Sequence, residues 1–299
     1  MQETNNFIEV IVLDNFKEKL VSMLFGTSAI RVCPENKPFW YTSGTIGPYY
    51  VNTHFLYGSE EKANELLAYI DKNKSSKLAL PEALLHKTFE NYKQDEVYKS
   101  VVDEMCRVIN EKIGLGNIEY VSGGERRDWF FSLIIAFILK KPHITIYKDL
   151  DTVLTDGSGT KPVKEIKSGN VLHIADLITE ASSFERAWIP AVKNLGGMIR
   201  WSLVVVDRNQ GGSEFLEGQG IKPLSMIEMD MAMFEKALSQ GLITKPQYNL
   251  IVEYIKDPYK SMKKFMEDNP DFLAESLKGD EKTRERARLC IEKGCYKGK

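Results

Sequence analysis

Residues 170–183 read NVLHIADLITEASS, and few folds accommodate that order of residues. The apolar run 171–174 is followed by one carboxylate, Asp176, and then a polar turn, 179–183, that leads into a helical pattern beginning near Phe184. β-Branched residues favour the extended backbone of the first part. The helix that follows opens with unpaired N–H groups and the positive end of its dipole. A strand delivering a carboxylate and several hydroxyls to that place makes a cradle for a phosphosugar.

Three further β-type runs end in polar turns. Residues 118–121 enter Ser122, Gly123, Gly124, Glu125, Arg126, Arg127 and Asp128, where loop amides and guanidiniums can meet several oxygens of a pyrophosphate together. A solvated cluster in which those charges pair with one another is the plainer reading of the same residues. Residues 143–148 precede 149–168, the most loop-like stretch in the chain, containing TDGSGTKPVKEIKSG. Residues 201–206 precede Asp207, Arg208, Asn209, Gln210, Gly211 and Gly212, where a guanidinium at a strand end can grip a planar carboxylate or simply close a turn. Helical patterns cover 7–25, 62–70, 96–113 and 184–195, the last stopped by Gly196 and Gly197. Strands alternating with helices predict a parallel α/β sheet with its ligand sites at the carboxyl ends of the strands.

The net charge of −2 gives no support to nucleic-acid binding. Four cysteines without a CxxC pair or a neighbouring histidine read as reduced thiols. The first residues lack a basic start and carry acids within their apolar stretch, which argues against a secretory signal. The longest apolar run, 129–139, is too short for a bilayer and predicts a buried helix. A cytoplasmic protein without a membrane partner is expected.

NVLHIADLITEASS resembles the ribose-phosphate motif of type I phosphoribosyltransferases, and residues 16–229 resemble one branch of them, the orotate phosphoribosyltransferases. DRNQGG resembles that branch's DRxxGG. Ser43, Gly44, Pro48, Tyr49, Tyr50 and Asn52 stand in register with its hood segment over the base. The resemblance implies a type I phosphoribosyltransferase-like parallel sheet flanked by helices, with a small N-terminal hood, all within 1–230, and a helical C-terminal extension, 231–299. It implies transfer of ribose 5-phosphate from 5-phosphoribosyl 1-diphosphate to orotate or a related base, with Mg²⁺ accompanying the diphosphate and no metal ligands assigned among the side chains.

In that reading Asp176 orients the ribose hydroxyls. Thr179, Glu180, Ala181, Ser182 and Ser183 form the 5-phosphate turn, and Arg126, Arg127 and Lys148 meet the pyrophosphate. Backbone at Tyr50 and Val51 faces the base, although these aromatics also suit a small hydrophobic cluster, and Arg208 reads the base carboxylate. A homodimer is implied as well. The chain departs from the pattern at Ala175, where a second acid is usual, at Glu180, which brings negative charge to the phosphate turn, at Thr42 and Thr45, where basic residues are usual, and in a loop that has Lys161 and Lys164 but no histidine. Those departures define the alternative, a phosphoribosyltransferase-like ligand sensor or interaction scaffold without full catalytic competence.

Overall fold

The computed structural model describes residues 16–35, 37–167 and 169–296. The first elements are α1 (16–26), β1 (Ile30–Val32), β2 (Phe39–Trp40), β3 (Ile46–Gly47) and β4 (Tyr49–Val51). Next come α2 (Glu60–Asn73), α3 (Leu80–Gln94), α4 (Glu96–Lys112), β5 (Tyr120–Gly124), α5 (Trp129–Ile138), β6 (His143–Ile146), β7 (Thr152–Asp156) and β8 (Gly159–Pro162). Then follow β9 (Asn170–Ile178), α6 (Ile189–Asn194), β10 (Met198–Asp207), α7 (Gly212–Gly218) and β11 (Lys222–Glu228). The chain continues with α8 (Met231–Ser239), α9 (Lys245–Lys256), α10 (Pro258–Asp268), α11 (Phe272–Ser276) and α12 (Glu281–Glu292). Of the helix expected over 7–25, the part before residue 16 lies outside the described residues.

These elements gather into two compact units: α1 with Thr53–Met229, and Ile30–Asn52 with the chain from Asp230 on. The first unit is built on a seven-stranded sheet of order β11-β10-β9-β5-β6-β7-β8. β11 through β6 run parallel, and β7 and β8 complete one edge antiparallel. From β5 the chain winds outward to β6, whereas from β9 it winds the other way to β10 and β11. The order therefore reverses between β5 and β9, and a crevice opens at the carboxyl ends of strands on either side of such a point. The two strands pair only from Tyr120↔Val171 to Ser122↔His173 and diverge beyond.

Why β9 occupies the centre follows from its composition. Val171 to Asp176 are all buried, as a strand covered on both faces requires, so the apolar run is continuous rather than alternating. α5 covers the sheet as the buried helix read from the sequence, with Trp129 through Ala136 out of solvent. It sits close because β5 presents glycine: a Cβ on Gly123 would lie 2.1 Å from Ser132 Oγ. Among the described residues no helix is long and apolar enough to cross a membrane.

Two features differ from the sequence expectation. Residues 149–167 are not one long loop, since β7 and β8 form a hairpin that extends the sheet from β6, and Lys161 is held there by Asp156 at 2.7 Å. Asp156-Gly157 is a hairpin signal in its own right, and the β-branched residues before it pair with β6. The second concerns the hood. The sequence groups 30–52 with the residues up to 230, but in the structure these strands cluster with the C-terminal helices. Tyr49 packs its ring against Phe234 and Tyr254 at 5.3 and 5.7 Å, Gln247 Nε2 donates to Cys33 O at 3.1 Å, and Arg286 Nη1 donates to Trp40 O at 2.7 Å. Each contact joins residues about 200 positions apart or more, and local sequence pattern carries no trace of them.

Candidate active site

The crevice at the β5/β9 divergence is a cleft of about 340 Å³. One wall is the loop after β5, from Glu125 to Asp128. The other is the end of β9 and the turn behind it, from Ala175 to Ser183, and Lys148 borders it from beyond β6. Eight residues singled out from the sequence thus come together: Arg126, Arg127, Lys148, Asp176, Thr179, Ala181, Ser182 and Ser183.

Asp176 is a buried acid of the cleft, 7% exposed, and its Oδ2 has no hydrogen-bond partner among the described residues. Burial, and after it the nearby Asp128 charge, push this carboxyl up to about 7 against the opposing pull of Arg127. The two arginines differ. Arg126 is engaged in an ion pair with Asp71 of α2, whereas the Arg127 guanidinium makes no ion pair among the described residues. Burial and the adjacent Arg127 charge hold Arg126 below its ordinary range, so an anion placed between the two cations relieves a repulsion that the protein alone leaves standing. Glu125 Oε2 accepts the Lys148 backbone N–H at 3.0 Å and ties the loop after β5 to the chain after β6. The Glu125–Arg126 peptide in this loop is cis.

The turn after β9 reaches its shape through Ala181, which has a φ of +57° and is buried. This left-handed conformation costs a non-glycine residue roughly 1–2 kcal/mol, a cost that glycine would avoid. Here the methyl group packs into the apolar cluster beneath the turn, which offsets part of it. Behind the turn, Phe184–Trp188 form one π-helical turn before α6, a local widening common beside ligand sites. Glu180, in the same turn, is exposed and is not among the residues that line the cleft.

Arg208 also lies outside this lining. It follows β10, where its backbone N–H donates to Ile178 O at 3.0 Å and its Nε is buried without a hydrogen-bond partner. Asp207 shapes that turn by accepting from Asn209 N at 2.8 Å and from the Ser213 hydroxyl. Tyr50 and Val51 belong to the second unit, on β4, paired with Arg31 and Ile30. The Tyr50 hydroxyl donates to Trp40 O and accepts from Arg286 Nη1 at 3.0 Å, so it is occupied in holding α12.

Sequence reasoning passed over Asp128, His173 and Trp188. Asp128 Oδ2 accepts the Gly124 N–H at 3.0 Å and Oδ1 accepts the Asp176 N–H at 3.1 Å. His173, fully buried on β9, meets Ser122 Oγ through Nδ1 at 2.9 Å and approaches Asp128 Oδ2 through Nε2 at 3.5 Å. Trp188 stacks on the His173 ring at 6.0 Å and lies under Gly124. An aspartate just before a helix ordinarily reads as an N-cap, and nothing local to ERRDW announces another use.

No model of a known protein family matches the chain. Over 202 residues it is 26% identical to the orotate phosphoribosyltransferase of Staphylothermus marinus, covering 66% of this chain and 96% of that one. Among solved structures, the UMP synthase of Leishmania donovani superposes with a TM-score of 0.54 at 15% identity, over 80% of this chain and 41% of that longer one. The orotate phosphoribosyltransferase of Francisella tularensis gives 0.50 at 11% identity, over 79% of this chain and 96% of that one. The central sheet and its flanking helices have the fold of a type I phosphoribosyltransferase. Within that class, the chain is similar in sequence to orotate phosphoribosyltransferases.

Proposed function

We propose that the protein transfers ribose 5-phosphate from 5-phosphoribosyl 1-diphosphate to orotate or a closely related carboxylated base. The observation that carries this is the cleft itself, which at a strand-order reversal is lined by a buried carboxylate oxygen without a hydrogen-bond partner, a guanidinium that makes no ion pair among the described residues, and a hydroxyl-bearing turn. In the transfer a base nitrogen bonds to the sugar C1 while the bond from C1 to the diphosphate oxygen breaks. The sugar is oxocarbenium-like between these events, so the protein contributes placement and charge more than covalent chemistry. Asp176 Oδ2 orients the ribose hydroxyls. Thr179, Ser182, Ser183 and the amides of their turn hold the 5-phosphate. Arg127 and Lys148 receive the diphosphate, with Arg126 in a lesser role because Asp71 already engages it. The buried, unpartnered Nε of Arg208 fits a residue awaiting a planar carboxylate. A homodimer belongs to the same reading.

Among the described residues no group of three or more His, Cys, Asp or Glu side chains gathers to hold a metal ion. Mg²⁺ would arrive with the substrate, keeping much of its shell as water and phosphate oxygens and asking for only one or two carboxylates. The free oxygen of Asp176 fits as such a ligand. When bound, the ion would neutralise charge on the departing diphosphate.

Titration calorimetry with 5-phosphoribosyl 1-diphosphate tests the assignment of the anion site. Binding is expected to require Mg²⁺, and Arg127→Ala is expected to weaken it about 10- to 100-fold, the size of one or two charge-assisted hydrogen bonds. Arg126→Ala is expected to do less. Absence of binding in the wild type, or unchanged affinity in Arg127→Ala, would overturn the assignment.

A further inference from the structure

Asp128 is placed to cap α5, yet its side chain makes no capping bond to that helix. The cap it forgoes is worth about 1 kcal/mol, and something else holds the carboxylate in its present position. Both of its oxygens accept backbone N–H groups from the two strands that separate at the cleft, Gly124 on β5 and Asp176 on β9. These strands last pair at Ser122↔His173. The carboxylate therefore takes over where the ladder stops, standing between diverging strands and supplying each with an acceptor. Asp128 is itself 7% exposed, and the Asp176 side chain whose backbone it holds leaves one oxygen unshared in the cleft. His173 supports the arrangement from below, its Nε2 at 3.5 Å from Asp128 and its ring stacked on Trp188.

We propose that Asp128 is a positioning residue that fixes the diphosphate loop and the ribose-orienting Asp176 relative to one another, so that the two ends of the substrate's sugar are gripped in register. The assignment rests on the transferase reading given above. It also accounts for Ala175. With the neighbouring strand end tied by a carboxylate from another loop, position 175 carries a methyl group buried in the apolar cluster that also holds Trp188 and Ile178. The second acid of the cleft is present, but it arrives from the loop after β5 and acts on the backbone.

Asp128→Asn and Asp128→Ala test this in the full-length protein. Asparagine keeps the shape but has one acceptor oxygen in place of two, and alanine keeps neither. With 5-phosphoribosyl 1-diphosphate as the varied substrate, kcat/KM is expected to fall about 10-fold in Asp128→Asn and about 100-fold in Asp128→Ala, the effect of misplacing reacting groups by an ångström or so. KM for 5-phosphoribosyl 1-diphosphate is expected to rise while KM for the base stays within about twofold in both, a split that a smaller folded fraction, which lowers apparent kcat and leaves both KM values alone, would not produce. Amide exchange is expected to accelerate at Gly124 and Asp176 but not at Val121. If Asp128→Ala melts without a cooperative transition, Asp128→Asn carries the test. A folded variant with kcat/KM unchanged, or with the two amides still protected, overturns the proposal. If the wild type shows no turnover, the transferase reading falls, and the amide exchange alone still decides whether Asp128 holds the two strands.

Discussion

Asp176→Asn is expected to remove activity and, at pH 8, to yield a more stable protein. The native carboxyl is pushed up to about 7, chiefly by burial and next by Asp128, whereas in the unfolded chain it ionises near 3.8. The folded state therefore holds this proton more tightly, and its stabilising contribution is present at low pH and lost as pH rises from about 4 through about 7. A neutral amide of the same shape escapes that loss. Urea unfolding at pH 8 is expected to show a gain on the order of 2–4 kcal/mol over the wild type, shrinking toward nothing near pH 4. Buried His54 and His143, held down at about 3, run the other way. Their contribution is present above about 6.5 and lost as pH falls, and it cancels when variant and wild type are compared at the same pH. Turnover is expected to drop at least about 100-fold, because the amide hydrogen-bonds the ribose without a charge. Equal stability at both pH values would show that the cleft does not strain this carboxylate.

Gly124→Ala is the substitution expected to damage the fold most. Its Cβ would lie 2.2 Å from Trp188 Cζ2 and 2.3 Å from Cε2, well inside contact distance. The indole has little room to yield, being buried in the apolar cluster that also holds Phe184 and Val192, with His173 stacked on its face. Overpacking of this kind costs about 3 kcal/mol or more, which lowers Tm by on the order of 10 °C in a chain of this size. The loop bearing Arg126 and Arg127 would be displaced with it. Trp188→Leu alone leaves a cavity, but combined with Gly124→Ala it supplies the missing space, so the double variant is expected to be more stable than the sum of the single effects predicts. Strict additivity in thermal melts would contradict this packing account.

Much of the site was legible because its pieces are local. Residues 170–183 announce a strand, an acid and a hydroxyl-bearing turn within fourteen positions, and the loop at Arg126 and Arg127 and the turn at Arg208 follow strand ends in the same way. What escaped notice is non-local or conformational. Asp128 serves Asp176 across 48 positions, and only the divergence of β5 from β9 reveals why. Glu180 looks like a charge set against a phosphate until the left-handed backbone at Ala181 is seen in the turn that leaves it exposed. β11 begins Lys-Pro and passes through Ser225, too weak an apolar signal to separate from a loop. The grouping of residues 30–52 with the C-terminal helices depends on Gln247, Arg286 and the ring of Tyr49, none of which a local pattern connects.

The most direct test of the transferase assignment is a continuous absorbance assay of the wild-type protein with 5-phosphoribosyl 1-diphosphate, Mg²⁺ and orotate, with released pyrophosphate counted in parallel. Consumption of orotate that requires both the diphosphate and the metal, with one pyrophosphate formed per base consumed, is the predicted result. Tight, metal-dependent binding of the diphosphate with no consumption of orotate or of any related carboxylated base would contradict it.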